Sequence, residues 1–516
     1  MFKYVFLLML LFLGGIAEAG GRILYVPLDD RPVCLDYSAA TFSAAGWEVR
    51  TPPADILPSS NRGGNIDALY AWLTANASRE DIAVVSADNL IYGGLVQSRT
   101  HNLSARELKD RTERFLRFKQ EAGGMPVYAF VTIMRSARAS GPPAEPDYYV
   151  KHGPALFRLG ALRDKSETER LSRGERKELA LLEASLPKDV FADYYGRREL
   201  NLQVTKRLLY AADNGGFDYL LLGRDDTANL SEAHREARRL SIVNAGLKQR
   251  KTRFLAGADQ LGILLLNRAV SKAGAAVPII YPFYAEGTGA STVPTYEDET
   301  VGESVRSQIL AAGGWPARRD DNADLVLAVS TPEKGRTLPA DDVRNTAELS
   351  AFKKKFLSSV EAFLSKGKMV GIADVCYANG SDNALAAALF DEGLAFRLAS
   401  YAGWNTASNT VGFALVQGVQ ATGMSSEERY KLLLIRYLDE WAYQSNVRLE
   451  VRKEIVWPNE WCEGYFKPNE TAQLERMATY KIKRFLRNRI SGKKLDAYKF
   501  SYPWNRTFEI KVEAIK

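Results

Sequence analysis

Ten mostly apolar runs recur along the chain, some of them, such as Tyr219–Leu222, without any polar alternation: Arg22–Leu28, Trp47–Thr51, Asp81–Ser86, Pro126–Ile133, Tyr219–Leu222, Thr252–Ala256, Val277–Tyr284, Asp324–Ser330, Met369–Ala373 and Phe396–Ala402. All ten predict strands, and a run without alternation predicts one covered on both faces. Between them lie segments with helical spacing, including Asp36–Ala45, Asn65–Thr74, Ala105–Ala122, Leu200–Ala212 and Asn229–Gln249. Strand alternating with helix implies an α/β fold whose parallel strands are joined by right-handed crossovers. A parallel β/α barrel-like sheet is the first expectation. Ten runs exceed the eight strands of a closed barrel, so one or two are not strands, or the sheet is open and doubly wound.

Two regions depart from this rhythm. An insertion at about 140–200 opens with Gly141-Pro142-Pro143, carries Tyr148 and Tyr149, and continues into a charged helical stretch, Ala161–Ala184. It reads as a lid over a site or as a surface excursion. After Met424 the pattern turns to long helical stretches, Ser426–Gln444 and Thr471–Ile490, and ends in the aromatic segment Phe500–Phe508. The expected division is an α/β domain over 20–424 and a C-terminal, mainly helical domain over 425–516.

Polar residues collect where the apolar runs stop. Tyr219–Leu222 leads through Gly223 and Arg224 to Asp225, Asp226 and Thr227. Neighbouring carboxylates cannot both be desolvated as anions without compensation, so one pKa should rise, giving a proton donor beside a permanent anion. The alternative is local: Asp226 or Thr227 capping the helix Asn229–Gln249. In a parallel α/β fold the C-terminal strand ends share one edge. Asp29, Asp30, Asp88, Asn89, Asp225, Asp226, Asp259, Glu286 and Asp374 would then meet in one crevice with Arg31, Arg135 and Arg224. Each has a local alternative, such as an ion pair of Asp29 or Asp30 with Arg31, or a cap at Asp88 or Asp374. Trp404, Asn405 and Asn409, with Asn379 and Asp382, add an aromatic face and amides suited to a polyhydroxylated ligand. Core packing is the alternative for Trp404, and a helix start for its polar neighbours.

Composition narrows the chemistry. The net charge of +7 over 516 residues is small and interspersed, which argues against a nucleic-acid partner. His101, His152 and His234 are the only histidines, so a Ser-His-Asp hydrolase or a His-rich metal centre is hard to build. Cys34, Cys376 and Cys462 form neither a zinc spacing nor a disulfide framework. No metal ligands are assigned; the clustered oxygens leave Mg²⁺ or Ca²⁺ as an alternative to a cofactor-free site. Residues 1–19 combine a basic start, a short apolar centre and Ala17-Glu18-Ala19, which predicts a secretory signal peptide cut after Ala19. Export to the periplasm or outside the cell follows, with no stable membrane span after cleavage; an uncleaved anchor is the alternative.

LDDRP (Leu28–Pro32), SADNLIYGG (Ser86–Gly94), GRDDT (Gly223–Thr227), GADQLG (Gly257–Gly262) and GWNTASNT (Gly403–Thr410) resemble a bacterial domain-of-unknown-function family, number 4127. The resemblance runs from about Arg22 through the C-terminal region and implies no activity. The paired Asp225-Asp226, and loosely the Trp404-Asn405 segment, resemble the site of O-GlcNAcase-like β-N-acetylhexosaminidases, barrels that act through the substrate's acetamido group. That likeness implies a glycoside hydrolase for an amino-sugar-containing glycan. Asp225 would orient the acetamido group, Asp226 would be the general acid/base, and the remaining strand-end residues would bind a carbohydrate or other small-molecule substrate. A metal-dependent phosphoesterase or deacetylase, and a non-catalytic glycan-binding envelope protein, are the alternatives.

Overall fold

Each of the ten runs contains a strand, though in Phe396–Ala402 only Ser400–Ala402 is extended, and the strands divide between two sheets. The computed structural model describes residues 20–515; the expected signal peptide, 1–19, lies outside them. The first sheet contains β1 (Gly20–Val26), β2 (Trp47–Arg50), β3 (Ile82–Ser86), β4 (Val127–Ile133), β5 (Tyr219–Arg224) and β6 (Thr252–Ala256). All pair in parallel, in the order β2-β1-β3-β4-β5-β6. The second contains β7 (Ile279–Tyr284), β8 (Trp315–Pro316), β9 (Leu325–Ser330), β11 (Val370–Asp374) and β13 (Ser400–Ala402). It too is parallel, in the order β13-β11-β9-β7-β8. A parallel pair, β10 (Leu338–Pro339) with β12 (Tyr377–Ala378), and an antiparallel pair, β14 (Tyr498–Ser501) with β15 (Lys511–Ala514), complete the strands among the described residues.

The barrel expectation is corrected by this pairing. β6 and β7 do not pair; the helix Leu261–Ala273 runs between them and carries the chain to a new sheet. Both sheets are open and doubly wound. Alternation along each strand explains the layering. Ile23, Tyr25, Val84, Phe130 and Leu221 face inward and join Leu325, Leu327, Val329 and the helices Leu261–Ala273 and Ala407–Gln420 in one central core. Leu24, Val26, Val85, Val131 and Leu222 face outward onto the helices Ile66–Asn76, Ala105–Glu121 and Lys188–Asp213. On the outer face of the second sheet, Val326, Ala328, Val370 and Ile372 share a core with Leu433, Trp441, Leu474 and Ile482 of the C-terminal helices.

The C-terminal stretch begins with the helix Ser426–Arg436, whose N-terminus Ser425 caps with Glu428 in a reciprocal box. It continues as a π-helix over Tyr437–Val447, a rare geometry that clusters at functional sites. The insertion forms the helices Tyr149–Thr168 and Arg173–Ser185, separated where Ser172 starts a new capping box. No helix of the described residues is long and apolar enough to cross a membrane.

Candidate functional site

At the C-terminal edge of the first sheet, the loops after β1, β5 and β6 meet the start of the helix Ala407–Gln420 and the segment after β14. Together they enclose a polar cavity of about 260 Å³. Its wall includes Arg31, Arg99, Arg135, Asp225, Asp226 and Asp259, closed by Asn405, Asn409, Tyr296 and Trp504. Doubly wound sheets bind ligands in this crevice, outside the strand ends. Gly257 is required at the turn after β6: its φ is +82°, and a Cβ there would stand 2.5 Å from Ser408 Oγ.

The wall alternates guanidinium and carboxylate. Arg31 is held by Asp29, with Nη2 donating to Oδ2 at 2.7 Å, and reaches Asp259 Oδ1 at 2.6 Å. Asn405 Nδ2 donates to the other oxygen of Asp259 at 2.6 Å. Burial pushes the Asp259 carboxyl up, opposed by Arg31 and reinforced by Asp29 and Asp225. Arg99 pairs with Asp225, and Arg135 donates to Asp226 Oδ2 at 2.9 Å. Glu145, from the start of the insertion, accepts from Arg135 Nε at 2.7 Å and lies 3.9 Å from Arg99. The insertion therefore braces the two arginines that grip the aspartate pair.

Asp226 is the unusual member. About a third of its side chain, 35%, is open to solvent. Its backbone is left-handed, with φ +44°, a conformation that favours Asn and Asp among non-glycine residues but still carries strain. Desolvation and then the Asp225 charge raise its pKa, with Arg135 and Arg99 acting against them. Tyr296 and Asn405, with φ of +71° and +69°, put two further left-handed residues on the same wall. The Tyr296 carbonyl accepts from Thr227 N at 3.1 Å, which ties the loop after β7 to the aspartate pair. Asp226 does not cap a helix: the next helix is Glu232–Ala245, and Ser231 Oγ caps it.

The structure brings together Arg31, Arg135, Asp225, Asp226, Asp259, Asn405 and Asn409, with Asp29 directly behind Arg31. Asp30 stands beside them as an acceptor from Trp504 Nε1 at 2.6 Å, and burial raises it to about 6. The other predicted residues lie elsewhere. Asp88 is fully buried and accepts from Thr132 N and Oγ1, both at 2.9 Å; Asn89 Nδ2 donates to the Pro27 carbonyl. Both hold β1, β3 and β4 together. Glu286 is exposed and pairs with Lys355. Asp374 is buried under Tyr401 and the backbone of Asp382, while Asp382 caps the helix Asn383–Asp391 and pairs with Lys353. Trp404 packs against Phe508 at 5.4 Å between ring centroids, in the core. Asn379 faces a second cavity. Arg224 turns to Asp298 and Glu299, at 3.1 and 2.7 Å. For Glu286, Asp374, Asn379 and Asp382 the cause is the second sheet, which has its own edge; Asp88, Asn89 and Arg224 belong to the first sheet and are drawn away by Thr132, Pro27, Asp298 and Glu299.

Sequence reasoning missed Arg99, Glu145, Tyr296, Trp504 and Arg506. Only Trp504 carried a signal, as part of the aromatic segment Phe500–Phe508, but nothing in the chain says that this segment folds back over the first sheet. Cys34 and Cys376 are buried and free, and Cys462 is exposed and free. Among the described residues no group of three or more His, Cys, Asp or Glu side chains is arranged to hold a metal ion.

No curated protein and no solved structure gives a significant match. Residues 23–513 match the family described as Protein of unknown function (DUF4127), and the chain belongs to that family.

Proposed function

We propose that the protein is a hydrolase acting on an amino-sugar-containing glycan or a similar small polyhydroxylated substrate, with its chemistry at the Asp225–Asp226 pair. The observation that carries this reading is Asp226: a raised-pKa carboxyl, open to a polar cavity, held at one oxygen by Arg135 and set beside a second carboxylate. A general acid/base needs a pKa moved towards the working pH and a free path to the reacting atom. In this reading Asp226 donates a proton to the leaving oxygen and takes one back from water. Asp225, fixed by Arg99, polarises the neighbouring substrate group. Asp259 and Asn405, already joined by a hydrogen bond, supply further polar contacts for hydroxyls. A cavity of about 260 Å³ lies near the lower end of ligand pockets, suiting one sugar-sized group more than a long chain.

The mechanism uses no cofactor. Each wall carboxylate engages a guanidinium, an arrangement that favours proton chemistry over a Mg²⁺ or Ca²⁺ cage built from free oxygens. Export, as residues 1–19 suggest, would place the enzyme among cell-envelope glycans. The test is incubation with chromogenic glycosides, including β-N-acetylhexosaminides, with and without EDTA. EDTA-resistant release that disappears in Asp226→Asn is the expected result. Release abolished by EDTA would replace this reading with a metal-dependent one, and saturable sugar binding without turnover would replace it with a binding role.

A further inference from the structure

A second cavity, of about 220 Å³, adjoins the first, and Tyr296 lines both. Its other walls include Asn379, Ala340, Asp341, Gln444 and Arg448. Arg448 comes directly after the π-helix Tyr437–Val447, so the geometry that presents Gln444 also presents Arg448.

The guanidinium of Arg448 stands in a different situation from those of the first cavity. Arg31, Arg99, Arg135 and Arg506 each have a carboxylate partner. Among the described residues, Arg448 has no carboxylate within ion-pairing distance. Its one hydrogen bond, to Gln444 Oε1, is long at 3.5 Å, and its buried Nε has no partner. Gln444 cannot swing closer, because its amide nitrogen is held by Asp439 Oδ1 and the Phe508 carbonyl, both at 3.1 Å. The guanidinium lies over the Phe508 ring at 4.8 Å, which fixes its plane. Across the wall, Asn379 is held in a left-handed conformation with φ +62°, its N–H donating to the Asn405 carbonyl at 2.9 Å. Its side-chain amide makes no hydrogen bond among the described residues. A planar guanidinium without an ion pair, sharing a small polar cavity with a free amide and with Asp341, whose charge Arg452 meets at 3.6 Å, is a donor set that oxyanions take, commonly in bidentate form.

We propose that this cavity is an oxyanion subsite, in which Arg448 and Asn379 hold a carboxylate or phosphate group of the ligand. Stacked side chains join it to the first cavity: Arg448 on Phe508, Arg506 on Phe508 and Trp504, and Arg31 on Trp504. The proposal deepens the hydrolase reading and rests on it for one point only, that the ligand is a sugar; it makes the substrate acidic, with its polyhydroxylated part at Asp226 and its anionic part beyond Tyr296.

The test is calorimetric titration of the protein with inorganic phosphate and, separately, with acetate. Wild type is expected to bind at least one of the two saturably, and the probe that binds identifies the anion as phosphate or carboxylate. Arg448→Gln should weaken that binding at least tenfold. Asn379→Gly keeps the left-handed backbone while deleting the amide, and should weaken it several-fold, which covers the case in which Arg448→Gln does not fold. Asp226→Asn should bind the anion like wild type, so loss of the hydrolase reading would leave this result untouched. Absence of saturable binding by wild type, or equal binding by wild type, Arg448→Gln and Asn379→Gly, would overturn the subsite.

Discussion

In each parallel sheet the second strand lies outside the first, and the third, fourth and fifth continue on the other side: β2-β1-β3-β4-β5 in one, β8-β7-β9-β11-β13 in the other. Both have carboxylates at their C-terminal edges, and in the first a group of three opens to one cavity. There Asp225, Asp226 and Asp259 line a space, and their partners are side chains. At the edge of the second sheet, Asp374 is fully buried and accepts from Asp382 N at 2.7 Å and Tyr401 Oη at 2.9 Å. The C-terminal π-helix closes over that edge: Ser381 N donates to the Glu440 carbonyl at 3.1 Å, and Gly403 N to Glu440 Oε2 at 2.7 Å. A strand-end carboxylate stays open to a ligand only where the adjoining loops leave it room, and becomes a structural tie where another element covers it.

The largest expected contrast is in turnover. Asp226→Asn should lower it by about a hundred- to ten-thousand-fold, the usual contribution of a general acid/base, with the thermal midpoint little changed. Asp374→Asn, at the covered edge, should leave turnover within a few-fold. Equal losses from both would erase the distinction between the two edges.

Stability should show the reverse order. Asp382→Ala removes a helix cap and leaves Lys353, whose side chain is 18% exposed, without its partner. A cost of about 3 kcal/mol is expected in denaturant unfolding. Asp225→Asn should cost less, because Arg99 keeps Glu145 3.9 Å away.

A pH measurement sharpens the comparison further. Burial raises Asp374 to about 7, so the folded protein holds that proton more tightly than the unfolded chain does. The stabilisation from this group is complete below the unfolded value of about 4 and is lost as pH rises through about 7. Asp88, also raised to about 7 by burial, acts in the same direction. Asp374→Asn should flatten the decline between pH 4 and 7 relative to wild type; an unchanged slope would mean that the carboxyl is already ionised there. The smallest effect is expected at Tyr296. Tyr296→Gly relieves a left-handed backbone worth about 1–2 kcal/mol, and the larger unfolded-state freedom of glycine offsets most of it. A net change in stability below about 1 kcal/mol is expected, read from the denaturant midpoint.

The candidate site was half legible in the sequence. Asp225-Asp226 stood out because an uninterrupted apolar run must be a buried strand, and the residues just after such a strand must surface at the sheet edge. Asp259 and Asn405 came from the same reasoning. Glu286, Asp374 and Asp382 were drawn into the same crevice because one edge was assumed, and the sequence holds no mark of the change of sheet after β6. Trp404 was expected to meet the ligand, yet it is Trp504 that lines the cavity. Both are buried aromatics beside polar residues; Trp404 packs on Phe508 and joins the central core, which only the folded arrangement shows.

By itself the sequence determined the local events: ten strands, the helices between them, and the polar residues that end each strand, because these depend on periodicity and on neighbours a few positions away. Only the tertiary structure decided which strands pair, and that the strands divide between two open sheets. It also decided that Arg99, Glu145 and Trp504 arrive at Asp225 and Asp226 from distant parts of the chain. Pairing energy is shared among backbone groups that are alike at every residue, so the sequence marks where a strand stands far more clearly than which strand stands beside it.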